Sequence, residues 1–157
     1  MIREILTIIG ISLIPLLELR ASIPYGIVAT QLHWSVVFLA AVIGNILVGP
    51  LAYFIIDKVI HIFFFIKPFK RVWYSYVAKT QKKIAPYVEK YGEWALAIFI
   101  GIPLPGTGVY TGAVAAYFTG MKKRTFFIAT VAGVLIAGIL VMLVTMLGIE
   151  ALTIFIK

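Results

Sequence analysis

The chain has no cysteine. That excludes disulfides, thiolate metal sites and thiol nucleophiles together. Histidine is almost as scarce: His33 and His61 are too few and too far apart in sequence for a metal cluster. Acidic residues number 6 against 14 basic ones, a formal net charge of +8. That excess does not point to nucleic acid, because no recognised binding motif accompanies it. The basic residues gather in two places, 67–90 and 122–124, each beside an apolar segment. Placement of that kind is the positive-inside pattern of a membrane protein. The N-terminal stretch does not read as a secretory leader: Arg3 precedes an apolar run, but Glu18 and Arg20 follow it without a small-residue cleavage site. The N-terminus is therefore expected to stay in the mature protein.

What the chain has in abundance is apolar surface. Of its 157 residues 62% are hydrophobic, and the mean hydropathy is +1.08. Soluble domains hold only about 45–50% apolar residues. The composition predicts one all-α integral membrane domain, with room for a few spans of ~20 residues. Enzyme chemistry is not expected. Ser22 has no histidine near it in sequence and Glu18 has no second carboxylate, so neither a nucleophile–base pair nor paired acids can be assembled locally. No cofactor and no metal are expected.

Two stretches break the apolar pattern. The stronger runs from Gly101 to Gly120, where Pro103 and Pro105 stop a helix, and Gly106 and Gly108 permit backbone angles that other residues resist. No strand precedes these glycines, so a dinucleotide loop is excluded. Non-helical backbone at membrane depth survives only where protein buries it or it lines a wet cavity, which makes the break a candidate site. The other break lies within 2–32. An apolar run ends at Pro15 and meets Glu18-Leu19-Arg20, after which Ser22 as N-cap and Pro24 in the first turn predict a short helix over 23–32.

Trp34 opens the next apolar run at an interface, and a transmembrane helix is expected over 34–57, with Asn45 inside it and a kink at Pro50. The basic, aromatic stretch 67–92 reads as an amphipathic helix on an anionic leaflet. A second transmembrane helix is expected over 125–147, then a short tail. If 94–120 crossed the membrane, the two basic clusters would lie on opposite faces; if it enters and returns, both are cytoplasmic. The second arrangement fits the charge. The expected fold is then an inverted repeat: re-entrant hairpin 2–32 and helix 34–57 within 1–66, an amphipathic cytoplasmic connector 67–92, and re-entrant hairpin 94–120 and helix 125–147 within 93–157. The halves match with Gly26 on Gly112, and beyond three extra basic residues Phe38 falls on Phe127, Gly44 on Gly133 and Gly49 on Gly138. Interrupted apolar segments at corresponding places in two halves mark the binding site of secondary transporters.

Glu18 and Arg20 are costly at membrane depth, so they default to function, with a structural ion pair as the bland reading. Arg20 presents a planar fork suited to phosphate or carboxylate. Two half-helix N-termini, near Ser22 and Thr107, would attract an anion to the same place. Glu18 is the candidate proton carrier. The expected substrate-binding set is Glu18, Arg20, Ser22, Asn45, Gly106, Thr107, Gly108 and Tyr110. So few spans leave little wall around such a site, and a homo-oligomer in the cell membrane is expected.

Three stretches carry a resemblance: LLELRASIPYGI at Leu16–Ile27, GNILVGP at Gly44–Pro50, and IPLPGTGVYTGA at Ile102–Ala113. Together they are similar to the family called putative small multidrug export proteins, a distant relative of the DedA and VTT-domain membrane proteins. The similarity runs from Leu13 to Gly138. It implies two re-entrant hairpins facing each other at mid-membrane. DedA relatives are linked to flipping or scrambling of lipids, including polyprenyl-phosphate carriers, and to proton coupling. Glu18 and Arg20 match the family's ELR block, and Pro103 to Gly108 its PLPGTG block. The arginine-bearing block typical of DedA proteins after the second proline is absent, and Gly106-Thr107-Gly108 stands in its place. The expected function is transport of an anionic lipid or lipid phosphate, with membrane lipids as partners. The alternatives are an ion-coupled exporter of small molecules or drugs, an intramembrane enzyme, and a structural membrane protein.

Overall fold

The structure, a computed structural model, describes residues 1–63, 94–104 and 107–156. Those residues form helices joined by short breaks. α1 covers Ile2–Ser12, α2 Glu18–Ala29 and α3 Trp34–Phe63. The described part of α4 covers 94–101, and α5 (Val109–Thr119) and α6 (Lys123–Ile156) complete the chain. A helix, a break, a short helix and a long helix thus occur in the same order within 1–63 and within 94–156. The connector expected at 67–92 lies outside the described residues, as do Pro105 and Gly106.

Hydropathy dictates the two long helices. Trp34–Lys58 and Lys123–Ile149, 25 and 27 residues, are long and apolar enough to cross a membrane. The helices themselves outrun the spans expected at 34–57 and 125–147. α3 continues through Asp57 and Lys58 to Phe63, and α6 takes up the expected tail as far as Ile156. A polar residue ends an apolar stripe without disturbing the i to i−4 bonding of the backbone, so the helix has no reason to stop there. Pro50 does not interrupt α3 either. It removes a single donor, and among apolar neighbours the adjoining backbone groups find no partner better than their own helix.

Close contacts fix the directions. Gly138 of α6 faces Phe38 and Val42 of α3, and Gly49 of α3 faces Thr130, where a Cβ would stand 3.0 Å from Cγ2. Tyr53 of α3 meets Phe126 with ring centroids 5.5 Å apart. Low numbers on one helix meet high numbers on the other, so α3 and α6 are antiparallel. α1 runs alongside α3 in the same direction. A Cβ on Gly44 would come within 3.0 Å of Ser12 Cβ, and Gly26 of α2 packs nearer the helix starts, against Val37 and Ile8. α4 does the same along α6: Gly133 packs on Ala97 and Ile100, and Gly101 on Ile136. Gly44 and Gly133, aligned by the sequence match, are therefore corresponding points where a long helix meets the first short helix of its own half.

Small residues fill the interior. Ala40, Ala41, Ala52, Ala97, Ala113 and Ala129 are buried, and side chains of that size let helix backbones approach closely. Bulky residues point outward: Leu39, Ile43, Leu47 and Leu51 repeat every four residues along α3 and are each about half exposed. An apolar stripe that long is a liability in water and a normal surface in lipid.

α2 departs from expectation. Its predicted start at Ile23, with Ser22 as N-cap, is wrong: the helix begins at Glu18 and ends at Ala29, with Ser22 and Pro24 inside it. The chain reverses before Glu18, where Leu16 and Glu18 adopt φ of 71° and 47°. Left-handed angles at such residues cost about 1–2 kcal/mol each and persist only where surrounding contacts demand them. Once the turn is made there, Pro24 sacrifices only the bond its missing N–H would give to the Arg20 carbonyl.

Candidate functional site

The two breaks meet. α1 ends and α2 begins around residues 13–18, α4 ends and α5 begins around 102–109, and side chains from α2 close the gap between them. Glu18 is only 4% exposed. Its Oε1 accepts hydrogen bonds from the backbone N–H of Val109 at 3.1 Å and of Tyr110 at 3.4 Å, and its Oε2 accepts from Val109 at 3.4 Å. These are first-turn amides of α5, which have no partner inside the helix. No side chain of its own caps α5, and the N-cap position is Gly108. A carboxylate from the other half of the chain does that work, where the helix dipole favours negative charge.

Gly108 makes the approach possible. Its φ of 131° is accessible to glycine alone at low cost, and a Cβ there would collide with both Glu18 carboxylate oxygens. Gly108 and Gly112, four residues apart, therefore have different duties. Gly112 packs against Ile100 and Leu96, whereas Gly108 receives a carboxylate. Gly120 ends α5 in a left-handed cap with φ 69°.

Arg20 lies on the same side of the break. Its Nη2 donates to the Thr107 carbonyl at 2.6 Å and to Thr107 Oγ1 at 2.8 Å, with a longer contact to the Ile102 carbonyl at 3.4 Å. The Thr107 hydroxyl in turn reaches the carbonyls of Ile102 and Leu104 at 2.6 and 2.8 Å. Arg20 thus binds the Thr107 and Ile102 carbonyls of the break, and the Thr107 hydroxyl extends the contact to Leu104. No salt bridge joins Glu18 to Arg20 among the described residues. Each charge instead holds the second break, Glu18 through the amides that open α5 and Arg20 through the carbonyls of Thr107 and Ile102. A third link closes the clasp: the Tyr110 hydroxyl donates to the Leu13 carbonyl, at the end of α1, at 2.5 Å.

Behind the clasp lies a buried polar seam. Ser12 Oγ donates to Ser22 Oγ at 2.7 Å, with a further contact to the Ile8 carbonyl at 3.0 Å. Asn45 Nδ2 donates to the Ser12 carbonyl at 3.3 Å, and Asn45 also interacts with the Glu18 carboxylate. Asn45 is fully buried, and its Oδ1 has no partner among the described residues. Ser22 is therefore a mid-helix hydroxyl tying α2 to α1, not an N-cap.

Of the expected set, Glu18, Arg20, Thr107, Gly108 and Tyr110 come together directly. Asn45 adjoins them and Ser22 stands one residue contact behind, through Ser12. Gly106 lies outside the described residues. Sequence reading missed Ser12, the Leu13 and Ile102 carbonyls and the Val109 amide. Ser12 alone left a trace, as a hydroxyl in an apolar run; backbone groups leave none.

A family model described as "Putative small multi-drug export protein" matches residues 18–140, most of the chain. Among curated proteins and among solved structures nothing matches.

Proposed function

The chain belongs to the family of putative small multi-drug export proteins, and we propose that it is a membrane transporter moving an anionic lipid or lipid phosphate. In this reading α3 and α6 cross the membrane in opposite directions. The α1–α2 and α4–α5 pairs are re-entrant hairpins, and 1–66 and 93–157 form an inverted repeat joined by a cytoplasmic connector at 67–92. The antiparallel contacts of α3 with α6 and the matched packing of Gly44 and Gly133 support the repeat. The plan is the DedA-like one, and a homo-oligomer supplies the wall that so few helices lack.

The observation that carries the reading is the seat at the start of α5. Its free amides hold an anion, and the anion present is the protein's own Glu18 carboxylate. A substrate phosphate or carboxylate is chemically equivalent there and competes for the same N–H groups. Protonation of Glu18 removes its charge, weakens its hold on the amides and opens the seat. Arg20 supplies the second arm. Among the described residues all its bonds leave from Nη2, so Nε and Nη1 remain for a ligand, in a fork that fits phosphate. Proton uptake and anion binding are thereby linked through one carboxylate.

The family description favours a second reading, an ion-coupled exporter of small molecules. Proteoliposomes separate the two. On the first reading a labelled anionic phospholipid or lipid phosphate changes leaflet in a manner that depends on the protein and on a pH gradient. Transport of lipophilic drugs without lipid movement would select the exporter.

A further inference from the structure

We propose that the groove between the later part of α3 and the first turns of α6 binds the headgroup of an anionic phospholipid, apart from the Glu18–Arg20 centre. The groove has a volume of about 470 Å³. Pro50 and the exposed Phe54 of α3, with the exposed Phe127 of α6, form an apolar wall. The Tyr53–Phe126 contact forms its floor. Lys123 and Arg124, both exposed, stand at one end of this trough.

The charges there are positioned by the fold. Lys123 Nζ lies 5.5 Å from the Tyr53 ring centroid, and Lys58 Nζ lies 5.6 Å from that of Phe54. Such contacts hold an ammonium over an aromatic face without neutralising it. Asp57 also lines the groove, so among the described residues Lys123 and Arg124 face one carboxylate there and leave a positive excess. All belong to the end where the antiparallel α3 and α6 pass from apolar to charged sequence.

The combination selects the ligand. A cationic end attracts a phosphate, and basic residues beside a span are where anionic headgroups settle. A soluble anion would engage Lys123 and Arg124 but leave Pro50, Phe54 and Phe127 uncovered. A phospholipid covers both, with phosphate on the cations and an acyl chain along the aromatic wall. A choline headgroup brings its own cation and gains less. The inference rests on the membrane placement of the chain and not on translocation.

The test is native mass spectrometry of the full-length protein in mild detergent. It is titrated with phosphatidylglycerol, with phosphatidylcholine of the same chains, and with glycerol 3-phosphate. Phosphatidylglycerol should bind at least about tenfold more tightly than phosphatidylcholine, and glycerol 3-phosphate should not displace it. K123Q/R124Q should lose the preference, K123R/R124K should keep it, and R3Q, which removes a charge elsewhere, should leave it unchanged. F127A shortens the exposed wall without altering charge and should weaken both lipids. Equal binding of the two lipids overturns the proposal, as does displacement by glycerol 3-phosphate, which marks a soluble-anion site. Full preference in K123Q/R124Q, or unchanged affinity in F127A, overturns it as well. E18Q keeps the two centres apart: headgroup binding should survive there even where transport loses its dependence on a pH gradient, and a groove that fails while E18Q still changes that dependence removes the groove alone.

Discussion

Gly108 and Glu18, ninety residues apart in the chain, are in contact: a Cβ on Gly108 would occupy the space of the Glu18 carboxylate. The glycine is fixed twice, by that contact and by its φ of 131°. Gly108→Ala should therefore destabilise by about 2–4 kcal/mol, combining backbone strain with displacement of a buried carboxylate. A thermal melt in detergent reads it. Adding Glu18→Ala should recover the steric part only. A melting temperature unchanged in Gly108→Ala would place the carboxylate elsewhere.

Glu18→Gln and Glu18→Ala should differ. The glutamine keeps an acceptor for the Val109 and Tyr110 amides but carries no exchangeable charge. Stability should shift by less than about 1 kcal/mol, and transport should lose its dependence on a pH gradient. The alanine strands two buried amides, at a cost of about 1–3 kcal/mol each. Identical pH responses in Glu18→Gln and wild type would rule out proton carriage by this residue.

Arg20→Lys keeps a positive charge but cannot bond Thr107 and a ligand phosphate through one planar fork. Transport should fall at least about tenfold, the equivalent of ~1.4 kcal/mol, while the melting temperature changes little. The double variant Glu18→Gln with Arg20→Gln restores a neutral hydrogen-bonding set. It should fold and not transport. Wild-type activity in that variant would reduce both residues to a brace between the breaks.

Tyr110→Phe removes the donor to the Leu13 carbonyl and nothing from the packing. The expected loss is about 1 kcal/mol, visible as a lower melting temperature. Faster amide exchange in the first turn of α5 should accompany it, because that turn is one of the points where the halves are fastened. Unaltered exchange there would mean that Glu18 alone holds the helix start.

Topology is open to a clean chemical test, since the chain has no native cysteine. Single cysteines at Thr80, Lys123 and Thr153 are probed with an impermeant thiol reagent in intact cells and in inside-out vesicles. Positions 80 and 123 should label from the cytoplasmic face and 153 from the other. Labelling of 80 and 123 from opposite sides would remove the re-entrant hairpin at 94–120.

Sequence by itself determined the material and the punctuation of this protein. Hydropathy located both apolar spans and the starts of both long helices, though not their ends at Phe63 and Ile156, because a span of apolar side chains is a local property of the chain. The Pro103–Gly108 break was equally local, written in missing donors and permissive glycines. Glu18 and Arg20 stood out because charge is rare in such surroundings. Tertiary structure decided what those features do. Where α2 begins depended on a left-handed turn at Leu16 and Glu18; cap and proline rules place that start five residues too late. That Glu18 caps α5 and Arg20 gathers the carbonyls of the opposite break could not be read from spacing. Their partners are backbone groups of residues 102–110, and every residue type carries the same amide and the same carbonyl. Only packing of the four short helices against α3 and α6 chose which of them would meet a charge.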